Sequence, residues 1–191
     1  MPIDWQFISR QEGGQTLNGY VPTGNNKSGV TIATGFDIGQ RSRADISGMP
    51  ITQGLKTKLT PYVGLIRQNA VAALRQTPLS ITQSEADTID GTVRSSVLSQ
   101  LRRNYNAAVS ASPGRAKFDQ LPSEAQTVIA SLAFQYGDLC RETPKIWNLV
   151  TQQNWFAAIQ ELNNFGDHYP SRRKREATYL GKIASTSPVA P

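Results

Sequence analysis

The sequence predicts an α+β fold: mostly helical, with a small β-hairpin region near the N-terminus and a helical C-terminal lobe. Three observations predict it. A short helical pattern stops at Gly13-Gly14, and a stretch over 15–40 is rich in Gly, Asn, Thr and Val. After residue 50, apolar residues recur at three- and four-residue spacing. The 191 residues, 38% hydrophobic and 18% charged, suit a single domain with a buried core rather than a disordered chain. That domain is expected over 1–184, its β-rich part near 15–40 and its helical lobe near 52–181, with a flexible tail at 185–191.

Residues 3–12 read as the first helix, with Ile3, Phe7 and Ile8 apolar and two glycines to end it. The turn-prone Thr-Gly-Asn-Asn and Lys-Ser-Gly stretches then break up a hairpin. Thr82 and Glu85 form a capping box, after which Ala86, Ile89, Val93, Val97 and Leu101 make one apolar stripe. Leu121 to Tyr136 carries few charges and is expected to be the central buried helix. Thr143-Pro144 opens another, because proline is tolerated in a first helical turn. Trp155, Ala158, Ile159 and Leu162 give the apolar face of the next, and residues 171–180 a last, basic helix.

The composition excludes several chemistries. Cys140 is the only cysteine and His168 the only histidine, so an intrachain disulfide is impossible and a zinc site lacks ligands. No nucleophile-elbow pattern stands near a serine. Both Cys140 and His168 are read as structural, no metal or cofactor is expected, and catalysis must rest on carboxylates. No apolar run approaches the roughly 20 residues of a membrane-spanning helix. Twenty Lys+Arg against fourteen Asp+Glu give a net charge of +6, which attracts polyanions in general. The basic run Arg172 to Arg175 reads either as a patch or as a solvated helix face.

Glu12 ends the first helix four residues after Ile8, on the same inward face. There the negative end of the helix dipole and partial burial both disfavour a bare negative charge, which suits a proton donor. A surface glutamate that merely ends a helix is the commoner case. The segment Ser-Gly-Val-Thr-Ile-Ala-Thr-Gly-Phe-Asp-Ile-Gly-Gln changes the balance. With Glu12-Gly13, Gly29 to Ile32 and Gly35 to Asp37 in this order and spacing, the chain resembles the phage-type lysozymes. It is most similar to the lysozyme-like toxin domain of pesticin-type bacteriocins. Residues 81–101, 118–137 and 155–165 look like successive helices of the same fold, and Tyr169 to Arg172 looks like the stretch that returns an arginine to the catalytic helix.

The resemblance implies a muramidase, cleaving peptidoglycan between N-acetylmuramic acid and N-acetylglucosamine, generally with inversion. Inversion needs an acid and a base on opposite sides of the sugar, carboxyls roughly 6.5–9.5 Å apart. By position Glu12 is the acid, and Thr31 resembles the threonine that helps hold the attacking water. Phage enzymes carry an aspartate inside the hairpin, but residues 13–30 contain no acidic residue. The pesticin-type order, aspartate after threonine, assigns the base to Asp37; the other reading of Asp37 is a turn residue or helix cap. Arg172 matches the arginine that pairs with the catalytic glutamate, and Gln135 a sugar-contacting position at a helix end. Tyr20 is a candidate for stacking on a sugar ring.

The expected partner is bacterial peptidoglycan, with a cognate immunity protein if the domain is a toxin, and a monomer is expected, without nucleic acid or membrane insertion. The N-terminus lacks a basic stretch followed by an apolar one, so no signal peptide is expected. Delivery to the periplasm or cell wall would then use a secretion system, bacteriocin uptake or phage lysis. Two other readings compete: a catalytically inactive lysozyme-like binding module, and a nucleic-acid-binding helical domain motivated by charge, which lacks any matching motif.

Overall fold

The computed structural model describes residues 3–23 and 27–183. The expected tail at 185–191 lies outside the described residues, as does most of the Thr-Gly-Asn-Asn turn. The chain forms two compact units, residues 9–95 and residues 1–8 with 96–191, and passes between them inside its first and its fifth helix.

The first helix, α1 (Trp5–Gln11), is shorter than the sequence pattern suggests. Asp4 takes the phenol of Tyr179 on Oδ2 at 3.1 Å and the backbone N–H of Phe7 on Oδ1 at 2.8 Å, which sets the helix start. At the other end the N–H of Gly14 reaches back to the carbonyl of Ser9 (3.2 Å), with Gly13 at φ +83°. This is a Schellman closure, and it needs the left-handed backbone that glycine supplies. Glu12 is therefore the residue at the helix cap rather than inside the last turn.

In the unit of residues 9–95, β1 (Thr16–Tyr20), β2 (Thr31–Ala33) and β3 (Phe36–Asp37) form an antiparallel sheet in that order. The expected hairpin thus carries a third strand. Residues 79–81 run along the outer edge of β1 through Gly19 N to Leu79 O and Ile81 N to Leu17 O, each 2.9 Å, which covers an otherwise open edge. The chain continues through α2 (Arg43–Gly48), α3 (Gln53–Leu59) and α4 (Arg67–Gln76) into α5 (Gln83–Val109). Ser42 with Asp45, Thr52, and Thr82 with Glu85 satisfy orphan N–H groups at three of these starts. Val30, Ile32, Phe36, Ile38, Leu55, Leu59, Tyr62, Ile81, Ala86 and Ile89 form its core. Removing a large aliphatic side chain from such a core costs about 2–5 kcal/mol.

In the other unit, α6 (Ser123–Tyr136) has nine consecutive buried residues, Ala125 to Ala133. A helix covered on all sides is a central one. Packed in this unit are α7 (Leu139–Glu142), α8 (Pro144–Thr151), α9 (Trp155–Asn163) and α10 (Pro170–Gly181). Tyr105 joins this core edge-on to Phe118 and Trp147, and its hydroxyl donates to the carbonyl of Val150 at 2.9 Å. Trp5 packs edge-on against Phe134, and Asp4 N donates to Thr127 Oγ1 at 3.0 Å, seating the start of α1 on α6.

One sequence reading needs correction here. Arg172 and Arg173 are 6% and 1% exposed, so the basic run is neither a patch nor a solvated face; only Lys174 and Arg175 reach solvent. Cys140 and His168 are both exposed.

Candidate functional site

Three residues singled out from the sequence fall on one row of the sheet. Tyr20 at the end of β1 lies directly opposite Thr31 on β2, and Thr31 directly opposite Asp37 on β3. Residues directly opposite each other in antiparallel strands point to the same face. Tyr20 is 40% exposed, whereas Thr31 is buried and its hydroxyl makes a long bond of 3.4 Å to the carbonyl of Gly29.

The Asp37 carboxylate is held by backbone amides. Oδ1 accepts from Gly39 N at 2.9 Å and from Gly29 N at 3.1 Å, and Oδ2 lies 3.2 Å from Gly29 N. Asp37 thereby caps the single 3-10 turn Ile38–Gln40, as the turn-residue reading expected. It also clamps two chain segments that cross at very close range: a Cβ on Gly29 would lie 2.4 Å from the Cα of Gly39 and 2.4 Å from the carbonyl oxygen of Leu65. Only glycine fits that crossing. A carboxylate offers about four acceptor positions, and these three contacts use most of them.

Glu12 meets the tip of the same hairpin. Its Oε2 lies 3.9 Å from where a Cβ on Gly35 would stand, and its Oε1 is shielded from solvent. Gly35 is exposed and has no side chain, so the turn presents bare backbone toward the Glu12 carboxylate. Thr16, paired with Ala33 beside this turn, has a buried hydroxyl with no hydrogen-bond partner among the described residues.

The remaining predicted residues lie in the other unit. Arg172 bonds to Glu176 through Nε (3.2 Å) and through Nη2 to the carbonyl of Ser131 (3.0 Å). Gln135 gives its Oε1 to Arg173, which also pairs with Glu176 and, at 2.9 Å, with Asp167. Arg173 lies over the rings of Tyr136 and Phe165, 5.4 and 4.9 Å from their centres. Burial, then the hydrogen bond to Asp167, pushes the Tyr136 phenol up to about 12. Asp167 is held below its ordinary value: burial works against this, but bonds from Tyr136, Arg173 and the N–H of Tyr169 outweigh it.

Sequence reasoning missed Asp90. It is 5% exposed on α5, and its carboxylate accepts from Thr34 N (3.0 Å), Thr34 Oγ1 (2.6 Å) and Gln15 Nε2 (2.8 Å). The signal was present: Gln83, Asp87 and Asp90 make a polar stripe at helical spacing, and all three bond to Gln15. Among the described residues there is no cluster of His, Cys, Asp and Glu able to hold a metal, and no helix long and apolar enough to cross a membrane.

The family model described as pesticin, a bacterial toxin homologue of phage lysozyme (C-terminal part), matches residues 2–156. The chain belongs to the pesticin family. No curated protein matches it. The pesticin match spans α1, the whole sheet and α5, so Glu12, Tyr20, Thr31 and Asp37 all lie within it, as does Gln135. It stops before α10, so the expectation for Arg172 rests on the resemblance of Tyr169 to Arg172 alone.

Proposed function

We propose that this chain is a muramidase that hydrolyses the bond between N-acetylmuramic acid and N-acetylglucosamine in bacterial peptidoglycan, with inversion. The observation that carries the reading is the Glu12 carboxylate at the bare turn of the hairpin whose strands carry Thr31 and Asp37 as a directly opposed pair. In the proposal Glu12 protonates the departing glycosidic oxygen. Asp37 takes a proton from a water that Thr31 helps to hold, and that water attacks the opposite face of the sugar. Tyr20, exposed on the same row, stacks on a sugar ring, and Gln135 contacts sugar. The resemblance adds a pairing of Arg172 with Glu12, which a double-mutant cycle at the two positions tests: additive losses would remove it.

Digestion of purified peptidoglycan tests the activity. New reducing muramic-acid ends are expected; free amino groups without reducing ends would indicate a peptidase or amidase and end the proposal. Under this reading the domain works as a bacterial toxin at the cell wall, with an immunity protein as its inhibitor. A second reading, an inactive lysozyme-like binding module, draws on the engagement of Asp37 with backbone amides. Binding to peptidoglycan without any release of reducing ends would establish it.

A further inference from the structure

The hairpin turn that faces Glu12 is strained. Ala33 has φ +53° and Gly35 φ +75°, on either side of Thr34. A positive φ is uncommon for alanine, and such backbone persists only where its surroundings hold it. Here the hold is Asp90. Its Oδ1 accepts the Thr34 N–H and its Oδ2 the Thr34 hydroxyl, so the residue at the crest of the turn is gripped at two atoms. The same Oδ2 accepts from the Nε2 of Gln15, three residues after Glu12. Gln15 is further tied to Asp87 at 3.1 Å and accepts from Gln83. One face of α5 therefore fixes both the segment leaving the acid and the turn opposite it.

We propose that Asp90 is a positioning residue for the glycosidase centre: it sets the placement of the Glu12 carboxylate against the Thr34-Gly35 turn without touching substrate. This rests on the reading of Glu12 as the acid. Proton donation to a glycosidic oxygen requires tight geometry, and a misplacement of about 1 Å costs on the order of 100-fold in rate. Loss of Asp90 releases the turn and the Gln15 segment together, so the effect falls on kcat, while substrate contacts made by other residues keep KM.

The test measures kcat, KM and melting temperature on soluble peptidoglycan glycan strands for the intact chain and five variants. Asp90→Ala should lower kcat on the order of 100-fold with KM changed by less than about 3-fold. Asp90→Asn should recover a large part of the loss, because its one remaining oxygen still accepts from Thr34 N. Thr34→Val removes only the hydroxyl grip and should lower kcat roughly 10-fold. It carries the test if Asp90→Ala does not fold. Glu85→Gln, on the same helix but bonded only to Thr82 and Lys58, should lower the melting temperature and leave kcat unchanged. Unchanged kcat in Asp90→Ala and Thr34→Val, or a loss that merely follows melting temperature, overturns the inference. Glu12→Gln separates the two claims: if it is inactive while Asp90→Ala turns over normally, the acid stands and the positioning role falls. If Glu12→Gln retains turnover, both fall.

Discussion

Thr31 and Asp37 stand directly opposite each other across β2 and β3, and Asp37 holds the backbone N–H groups of Gly29 and Gly39 with the carboxylate proposed to activate water. The clamp rests mainly on one of the two oxygens. Oδ1 makes both short bonds, while Oδ2 has only a longer contact with Gly29. The clamp and the chemistry can therefore be separated by substitution.

Asp37→Asn keeps an oxygen for both amides and removes the basic atom. The variant should fold with a melting temperature close to that of the wild type, yet lose turnover on the order of 100-fold or more, as removal of a general base does. Asp37→Ala should in addition lose stability, by about 1–3 kcal/mol, because two buried N–H groups lose their acceptor. Near wild-type turnover in a folded Asp37→Asn would leave Asp37 as a turn cap only.

Gly35 offers a steric test of the same centre. An alanine there would place its Cβ 3.9 Å from Glu12 Oε2, an ordinary contact, although φ +75° disfavours it. Gly35→Ala should cost roughly 1 kcal/mol of stability from the backbone alone. Gly35→Val adds branches toward the carboxylate and should depress kcat well beyond the alanine variant. Equal kcat in the two would show that the space above the turn is not used.

Glu176 is fully buried and receives both Arg172 and Arg173. Breaking a buried pair by removing one partner leaves an uncompensated charge and costs about 3–5 kcal/mol. Glu176→Gln should therefore lower the denaturant midpoint substantially, whereas Glu142→Gln, whose bridge to Arg141 is largely exposed, should change it little. Comparable midpoints for the two would contradict the burial seen here.

Much of the fold was legible because its signals are local. The Thr82–Glu85 box, the Gly13 stop and the uncharged run of α6 after Glu124 each lie within one short contiguous stretch of sequence, and each forms as read. The misreadings concern charges whose partners decide their fate. As members of a basic run, Arg172 and Arg173 were open to reading as a patch or a solvated face, although the resemblance turned Arg172 inward. Their common partner Glu176, at i+4 and i+3, was the signal that they turn inward together. Asp90 was hidden beside Ile89, whose apolar stripe drew the reading, and its role depends on Thr34, 56 residues away. The third strand escaped because two residues carry no periodicity.

The cluster of Tyr136, Asp167 and Arg173 makes stability depend on pH at both extremes. In the fold the Tyr136 phenol loses its proton only near 12, against an ordinary value of 10.0. The unfolded chain gives up that proton first, so the contribution is complete below about pH 10 and disappears as pH rises toward 12. Asp167 is shifted the opposite way: its carboxylate is favoured in the fold, so its contribution is present above about pH 4 and is lost as pH falls through its lowered value. Tyr136→Phe removes the titrating phenol and one bond to Asp167. At neutral pH the variant should be less stable than the wild type, and the difference should narrow between about pH 10 and 12, where only the wild type pays for ionising the phenol. Because Tyr62, Tyr105 and Tyr179 are also raised by burial, the measurement is the difference between the two proteins in urea melts across that range. A difference that stays constant from neutral pH to pH 12 would show that Tyr136 is not the group responsible.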